Sequence, residues 1–227
     1  MATSTIEPAL ALFAWLSPSY PVGAYAYSHG LEWAVERGEV RDGETLHAWL
    51  AALLEHGSAR NDAVLFALSH ACAREGGDLA ALAELAVALA ASRERRLETL
   101  QQGAGFLAAT RAAWPHPALE AHAARIGADT AYPVCFAAAV AAHGLPLRPA
   151  LDGFLNAFAG NLVSACVRMS VVGQTEGQAT LARLSPLAAA VASAADGASL
   201  DDLGGCAFRA DLAALHHETQ HARLFRS

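Results

Sequence analysis

The stretch Leu151-Asp-Gly-Phe-Leu-Asn-Ala-Phe-Ala-Gly-Asn-Leu-Val-Ser-Ala-Cys-Val-Arg-Met169 decides the fold class of this chain of 227 residues. Apolar side chains recur along it at intervals of three and four residues, which is the spacing of one face of an α-helix. This face consists of Leu151, Phe154, Leu155, Phe158, Leu162, Cys166 and Met169. The same spacing recurs almost everywhere else, and no segment alternates convincingly between apolar and polar residues as a strand does. The chain is therefore expected to be all-α.

Outward from this stretch, proline, glycine and capping residues divide the chain into about ten helical segments. Toward the N-terminus, one helix is predicted over residues 28–37. Toward the C-terminus, the polar residues 173–177 are predicted to interrupt the helices, a further helix covers residues 179–195, and the last covers residues 209–222. The chain has no internal repeat and no low-complexity tail. We therefore predict a single-domain helical bundle that spans residues 1–227.

The composition agrees with a helical protein and excludes several classes of enzyme. Roughly a quarter of the chain is alanine, the best helix former. All 15 basic residues are arginine, and lysine is absent. Without lysine the chain cannot be a Walker-type NTPase, nor an enzyme that forms a Schiff base through lysine. A net charge of −7 argues against broad nucleic-acid binding, which needs a basic face.

Cysteine usage and hydropathy indicate a cytosolic protein. The four cysteines include no CxxC pair and lie in apolar surroundings, so reduced and packed thiols are expected. They are Cys72, Cys135, Cys166 and Cys206. No signal peptide is recognisable, and apolar runs such as residues 134–142 reach about half of the roughly 20 residues that cross a bilayer. A cytoplasmic protein without a membrane segment is therefore expected.

Residues 17–32 form the first segment of unusual composition. They hold three of the four tyrosines, Tyr20, Tyr25 and Tyr27, together with two prolines. Proline fixes φ, so this loop is expected to be pre-shaped. Tyrosine supplies a large contact area at low entropic cost and is enriched where proteins meet. The alternative is an ordinary connection between helices whose aromatic side chains complete the core.

Residues 168–178, Arg-Met-Ser-Val-Val-Gly-Gln-Thr-Glu-Gly-Gln, form the second such segment. Two glycines four residues apart, with polar residues between them, could bring the backbone close to another group. A phosphate-binding loop is excluded because the segment lacks the GK[ST] sequence and the chain lacks lysine. The alternative is a break between two helices, in which Gln174 and Gln178 satisfy the helix ends.

The densest run of charges, residues 92–103, predicts a helix with a solvated face. Glu94 and Glu98 lie one to three residues from Arg95 and Arg96, and a pair at helical spacing, such as Arg95 and Glu98, stabilises an exposed helix by a few tenths of a kcal/mol.

The C-terminal residues contain a possible zinc motif and an arginine-aromatic cluster. Residues 217–221 read HExxH; on a helix the two histidines would share a face and could bind zinc, with Glu218 as the general base. However, only six residues follow His221, and none of them is His, Asp, Glu or Cys, so a downstream third ligand is not expected. An upstream ligand such as His122 or Asp211 is the alternative, but no motif supports it. A terminus normally frays unless it is tied down. Arg223, Leu224 and Phe225 could dock the terminus onto the body of the protein or onto a partner.

These segments together resemble the UreF family of urease accessory proteins. Four motifs carry the resemblance. The first two are SPxxPVGxYxYSHGLEW over residues 17–33, and Ser92-Arg93-Glu94 followed by Glu98 and Gly103. The other two are RxxxxGQTxGQ over residues 168–178 and HExxxxRLFxS over residues 217–227. The chain departs from the usual family pattern at Ala24, where glycine is usual, at Val171-Val172, where Pro-Leu is usual, and at Glu176, where aspartate is usual. The resemblance covers nearly the whole chain in order.

The resemblance implies a cytoplasmic, all-α and usually dimeric protein that is not itself an enzyme. Members of this family are expected to bind the accessory protein UreD, also called UreH, and to recruit the GTPase UreG. The assembly would deliver nickel to apo-urease, with the metal passing through a water-filled tunnel. Two other hypotheses stay open: a zinc metalloenzyme that uses the HExxH residues, and a helical adaptor outside urease maturation.

The resemblance also implies roles in partner binding for particular residues. Tyr25, Tyr27, Ser28, His29 and Glu32 would form or support one interface. Gln174, Thr175 and Glu176 would lie near the metal path or UreG. Arg223, Leu224 and Phe225 would order the C-terminus against UreD or a second copy of the chain. Arg168, Gln178 and Glu218 complete the set. No catalytic residue, metal ligand or resident cofactor is assigned.

Overall fold

The computed structural model describes residues 7–227. Within these residues the chain forms eleven α-helices, two single 3-10 turns and no strand, so the prediction of an all-α fold is confirmed. The helices are α1 (Pro8–Trp15), α2 (Leu31–Glu36), α3 (Gly43–His56), α4 (Ser58–Glu75), α5 (Leu79–Ala88), α6 (Arg93–Ala113), α7 (Pro117–Ile126), α8 (Tyr132–Ala142), α9 (Leu147–Arg168), α10 (Gln174–Ala195) and α11 (Phe208–His217). The 3-10 turns cover Ala24–Ala26 and Leu200–Asp202.

Helix α8 lies at the centre of the bundle. Every residue from Val134 to Val140 is fully buried, as expected of a helix that is apolar on all sides. Helices α4, α6, α7 and α9 pack around it. The approach of α6 is close because Gly103 has no side chain; a Cβ there would overlap the backbone oxygen of Thr130, which precedes α8.

Aromatic rings join the first helix to this centre. Phe106 of α6 stacks on Phe136 of α8 with ring centroids 4.7 Å apart. Trp15, at the end of α1, meets both rings edge-on. Each such pair is worth about 1 kcal/mol beyond the area that it buries. The N-terminal loop that follows Trp15 therefore starts from a fixed point on the core.

Helices α9 and α10 pack against each other, and the turn between them is shorter than predicted. The expected interruption at residues 173–177 is wrong, because α10 begins at Gln174. Gly173 is extended, and its carbonyl oxygen accepts the first helical hydrogen bond from Gly177 N at 2.8 Å. The first turn of α10 faces solvent, so it contains no apolar residue that would have revealed its periodicity.

Two further helix boundaries differ from the prediction. Helix α2 begins at Leu31 instead of residue 28, because His29 and Gly30 adopt left-handed backbone conformations with φ of 58° and 75°. Helix α11 ends at His217 instead of residue 222. Both changes lie where the two ends of the chain meet.

Two sequence expectations about burial need qualification. Cys135 and Cys166 are buried and Cys72 is half-buried, but Cys206 is exposed. Helix α9 has the length and composition of a membrane span; half of its most apolar window is nevertheless buried inside the fold, as in the core helix of a bundle.

Candidate functional site

The last ten residues, which we call the C-terminal segment (residues 218–227), fold back onto the N-terminal loop. Phe225 and Ser227 are buried, with 4% and 1% of their surfaces exposed. The backbone N–H of Ser28 donates to the backbone oxygen of Ser227 at 2.7 Å, and that of Arg226 donates to Ala26 O at 2.8 Å. The segment therefore docks onto the body of the protein, one of the two expected arrangements.

Glu32, in the first turn of α2, holds the middle of this segment. Its Oε1 accepts a hydrogen bond from Leu224 N at 2.6 Å, and its Oε2 accepts one from Phe225 N at 2.9 Å. A carboxylate that accepts two backbone N–H groups forms charge-assisted bonds that are stronger than neutral ones. Glu32 thereby fixes the direction in which the segment leaves α11.

Glu94, near the start of α6, joins α11 to the C-terminal segment. Its Oε2 lies 2.6 Å from His217 Nδ1, and its Oε1 accepts a hydrogen bond from Arg223 Nη1 at 2.6 Å. The other ring nitrogen of His217 lies 3.2 Å from Glu32 Oε2. His217 thus lies between two carboxylates, one on α2 and one on α6.

Glu218 caps the same end of α6. Its Oε1 accepts a hydrogen bond from Arg93 N at 2.7 Å, beside Ser92, whose hydroxyl accepts one from Arg95 N. Negative charge at a helix N-terminus is favourable because the first N–H groups of the helix point outward.

Glu98, one helical turn further along α6, holds the end of the segment. It is 1% exposed, and its Oε2 accepts a hydrogen bond from Ser227 Oγ at 2.6 Å. Its other partners are Arg95, Gln102 and His29. Burial acts to raise the pKa of this carboxyl, but Arg95, His29 and the Ser227 hydroxyl outweigh it and lower the pKa to about 2. Glu98 is therefore ionised, and both of its carboxylate oxygens have hydrogen-bond or ion-pair partners.

His29 links this carboxylate to the N-terminal loop. Its Nδ1 lies 2.8 Å from Arg95 Nη1 and 2.9 Å from Glu98 Oε1. Burial, together with the nearby Arg95 charge, lowers the pKa of His29, although Glu98 acts to raise it.

Arg168 brings a third part of the chain to the same place. From the end of α9 its Nη1 donates to the backbone oxygen of Tyr25 at 2.6 Å, and its guanidinium lies 4.5 Å from the centroid of the Phe225 ring. A cation over an aromatic ring contributes about 0.5–1 kcal/mol at a partly exposed site. Three segments that are far apart in the sequence thus converge at one end of the bundle.

The sequence-predicted residues at this site divide into two kinds. Tyr27, Ser28 and His29 are buried, so they can support an interface but do not themselves reach a partner. Tyr25 and Leu224 are 71% and 63% exposed and lie on the outer side of the docked segment. The outer surface also includes the exposed arginines Arg168, Arg223 and Arg226.

The other predicted residues lie in the first turn of α10. Gln174, Thr175, Glu176 and Gln178 are exposed there. Glu176 Oε1 accepts a hydrogen bond from Gly43 N at 3.1 Å, so this group is tied to the start of α3 rather than to the C-terminal segment.

The zinc hypothesis loses its geometric basis. His217 is the last residue of α11 and is fully buried between two carboxylates, whereas His221 lies beyond the helix end and is exposed. The two histidines therefore do not share a helical face, which the HExxH arrangement requires.

Sequence reasoning missed the carboxylates that hold the segment. It predicted a solvated face for residues 92–103, but Glu94 and Glu98 are 8% and 1% exposed. Gln102 is buried too. A signal was present: these three residues recur at intervals of four and form a polar stripe on one side of the helix, which identifies a buried polar network when partners exist elsewhere in the chain.

Comparison with known proteins identifies the family. A family model described as UreF matches residues 40–185. The chain is 55% identical to urease accessory protein UreF of Methylobacterium sp. (strain 4-46) over 221 residues, which cover 96% of this chain and 88% of that protein. It is 51% identical to urease accessory protein UreF of Azorhizobium caulinodans, with 100% of this chain and 99% of that protein covered. The chain belongs to the UreF family of urease accessory proteins.

Proposed function

We propose that this protein is a non-catalytic scaffold of the cytoplasm that binds UreD (UreH) and recruits the GTPase UreG, so that GTP hydrolysis is coupled to nickel delivery into apo-urease. Family membership supports the role in urease maturation. The observation that supports a scaffold most directly is the docked C-terminal segment, which leaves Leu224 exposed to solvent beside the exposed Tyr25 of the N-terminal loop.

The outer surface of this segment has the chemistry of a protein interface. Tyrosine and arginine are enriched at interfaces, and apolar side chains form their cores. Here Tyr25 and Leu224 are exposed beside Arg168 and Arg223. A partner would bury the two apolar side chains and could pair its own carboxylates with the arginines.

The chemistry beneath this surface is structural. The carboxylates of Glu32, Glu94 and Glu98 each accept hydrogen bonds from N–H or O–H groups of the segment or of its neighbours. A carboxylate that is saturated in this way is a poor general base, because its charge is already stabilised. The site is therefore suited to holding a surface in place.

The first turn of α10 is the second surface in this proposal. Gln174, Thr175 and Gln178 are exposed at the N-terminus of a helix of 22 residues. We assign these residues, with Glu176, to the contact with UreG or to the path of nickel. We further propose that the protein acts as a homodimer, with one copy of each surface on each subunit.

Complex formation tests the scaffold role directly. The purified chain is mixed with UreD and UreG from the same source, with GDP or with a GTP analogue, and analysed by size-exclusion chromatography with light scattering. A stable complex of all three proteins is expected. If no complex forms with either nucleotide while the chain is folded, the proposal is wrong and an adaptor outside urease maturation becomes the better hypothesis.

Arg223→Ala is the informative variant in this assay. It removes the hydrogen bond to Glu94 and should weaken complex assembly and urease activation while it leaves the isolated fold largely intact. Arg111→Ala is the matched control, since it breaks only a surface ion pair with Glu120 near the other end of α6, and such pairs contribute about 0–1 kcal/mol. Unchanged complex formation by Arg223→Ala would overturn the role assigned to Arg223.

A further inference from the structure

The first turn of α10 presents different residues on different sides. Gln174 and Gln178 are four residues apart and share one face of the helix, whereas Glu176 is two residues from each and lies on the opposite side. Gly177 is buried against α9, where a Cβ would lie 2.8 Å from Val163 Cγ1. A flat partner surface that contacts the two glutamines would therefore not contact Glu176.

Glu176 turns instead toward the N-terminus of α3. Its Oε1 accepts a hydrogen bond from Gly43 N at 3.1 Å, and Gly43 is the first residue of that helix. The first N–H groups of a helix have no partner within it and favour a negative charge. Asp42, which precedes the helix, binds the N–H of Thr45 at 2.8 Å. Glu176 thus completes the cap of α3 from a different helix.

The approach of Glu176 explains why residue 43 is a glycine. Gly43 is not one of the residues with a positive φ, so its backbone conformation is open to other residues. A Cβ at this position, however, would lie 2.5 Å from Glu176 Oε1 and 3.1 Å from the carboxyl carbon. The carboxylate and the missing side chain are therefore two parts of one contact.

The opposite side of this turn is free for a partner. Among residues 7–227, none forms a hydrogen bond with the side chains of Gln174, Thr175 or Gln178, and all three are exposed. Amide and hydroxyl groups both donate and accept hydrogen bonds, so they fit a polar protein surface.

We propose that Glu176 is a positioning residue, which fastens the first turn of α10 to α3 so that Gln174, Thr175 and Gln178 meet a partner protein in one orientation. Glu176 itself does not contact that partner. This role rests on the proposed function, in which the turn is a partner surface. A surface that is already ordered loses less entropy on binding, so loss of the contact should weaken binding without removal of any partner contact.

Amide hydrogen exchange of Gly43 in the full chain reports the contact directly. Glu176→Ala removes the acceptor, and Glu176→Asp shortens the side chain by one methylene, so both should lower the protection of Gly43 severalfold. Glu176→Gln should keep most of it, because the amide oxygen accepts at the same reach. The Thr45 amide, which is bonded to Asp42, is the internal reference and should change in none of the variants.

Binding of UreG to the complex of the chain with UreD separates positioning from direct contact. Glu176→Ala and Glu176→Asp should each raise the Kd severalfold, and Glu176→Gln should restore most of the affinity. If Glu176→Gln binds as weakly as Glu176→Ala, the charge of Glu176 acts on the partner itself and the positioning role is wrong. Arg183→Ala is the matched control, since it breaks an exposed ion pair with Glu44 between the same two helices.

Gly43→Ala disturbs the contact from the other side. The added Cβ should displace the flexible end of Glu176 and raise the Kd as Glu176→Ala does, although α10 is unchanged. Because both substitutions break one contact, the double variant should bind no more weakly than either single variant. Additive losses would show that residues 43 and 176 act independently and would overturn the proposal.

Gln174→Ala distinguishes failure of this proposal from failure of the proposed function. If Gln174→Ala weakens binding and the Glu176 and Gly43 variants do not, the partner surface stands and the positioning role is wrong. If Gln174→Ala and the Glu176 variants all bind normally, the first turn of α10 is not a partner surface and both assignments are wrong.

Discussion

At the scale of single residues, Glu94 illustrates how strongly the docking of the C-terminal segment depends on one carboxylate. It pairs with both His217, which is fully buried, and Arg223. Glu94→Gln would replace the carboxylate that contacts both side chains with a neutral amide and would leave the Arg223 guanidinium without this partner. Because a hydrogen bond between charged groups contributes roughly 1.5–3 kcal/mol and the Arg223 side chain is 39% exposed, we expect a loss near the lower end of this range.

Urea denaturation measures this loss as a change in the free energy of unfolding. Glu84→Gln is the control for the same chemical change, since Glu84 is exposed on α5. The control should change stability by less than about 0.5 kcal/mol. Equal stability of the two variants would show that the Glu94 pairs contribute nothing.

At the element scale, the docking of α11 on α2 depends on a glycine. Gly30 has φ of 75°, and a Cβ at this position would lie 2.5 Å from the backbone nitrogen of Ala214 in α11. Gly30→Ala therefore adds a clash with backbone atoms to the strain of a left-handed conformation. We expect a loss of more than 3 kcal/mol in thermal or urea denaturation, because the strain alone costs about 1–2 kcal/mol.

Gly23→Ala separates the two contributions. Gly23 has φ of 74°, nearly the same as Gly30, but a Cβ there would have no heavy atom within 4 Å. This variant should show the conformational strain alone. If both substitutions cost the same, the close approach of α2 and α11 contributes nothing to their packing.

The helices that sequence reasoning placed well are those whose own residues define them. Helix α8 (Tyr132–Ala142) coincides with the apolar run of residues 134–142 and has Pro133 in its first turn. Such a helix is buried on all sides, so composition and periodicity give the same answer. A C-terminus docked onto the body of the protein was one of two arrangements expected from a local feature, the arginine-aromatic cluster.

The helix ends that were missed are decided by residues far away in the sequence. Residues 217–222 have a composition that would continue α11, but the helix ends at His217. The contacts of His217 and Leu224 with Glu32 turn the chain there, and Glu32 lies more than 180 residues earlier. No local pattern contains this information, because tertiary contacts override propensity.

At the scale of the whole molecule, buried histidines set the behaviour in acid. Burial lowers the pKa of His70 and of His122, and the nearby Arg74 and Arg125 add to the effect. The unfolded chain therefore binds more protons than the folded one once the pH falls below the ordinary histidine value of 6.5. The free energy of unfolding should fall with pH from that point.

Substitution of single histidines shows which of them cause the fall in the free energy of unfolding at low pH. His70→Gln should reduce the difference in the free energy of unfolding between about pH 7 and about pH 5, because one buried group no longer titrates. His56→Gln, at a side chain that is 68% exposed, should leave the difference unchanged. If the difference between the two pH values is the same in both variants, groups other than His70 cause the sensitivity to acid.

Asp62 acts in the opposite direction and limits stability as the pH rises. Desolvation raises its pKa from 3.8 to about 7 in the folded protein, so between these values the unfolded chain carries the charge and the folded chain does not. The destabilisation is absent below the lower value, grows with pH through this interval, and is complete above about pH 7. At 1.36 kcal/mol for each pKa unit, the destabilisation reaches at most roughly 4 kcal/mol.

Asp62→Asn should therefore be more stable than the unchanged protein by an amount that grows from about pH 4 to about pH 7 and then stays constant. Urea denaturation across this pH range measures the difference. A constant difference at all pH values would mean that the amide packs better for reasons unrelated to ionisation, whereas a growing one would show that the fold retains this acid at a cost in stability.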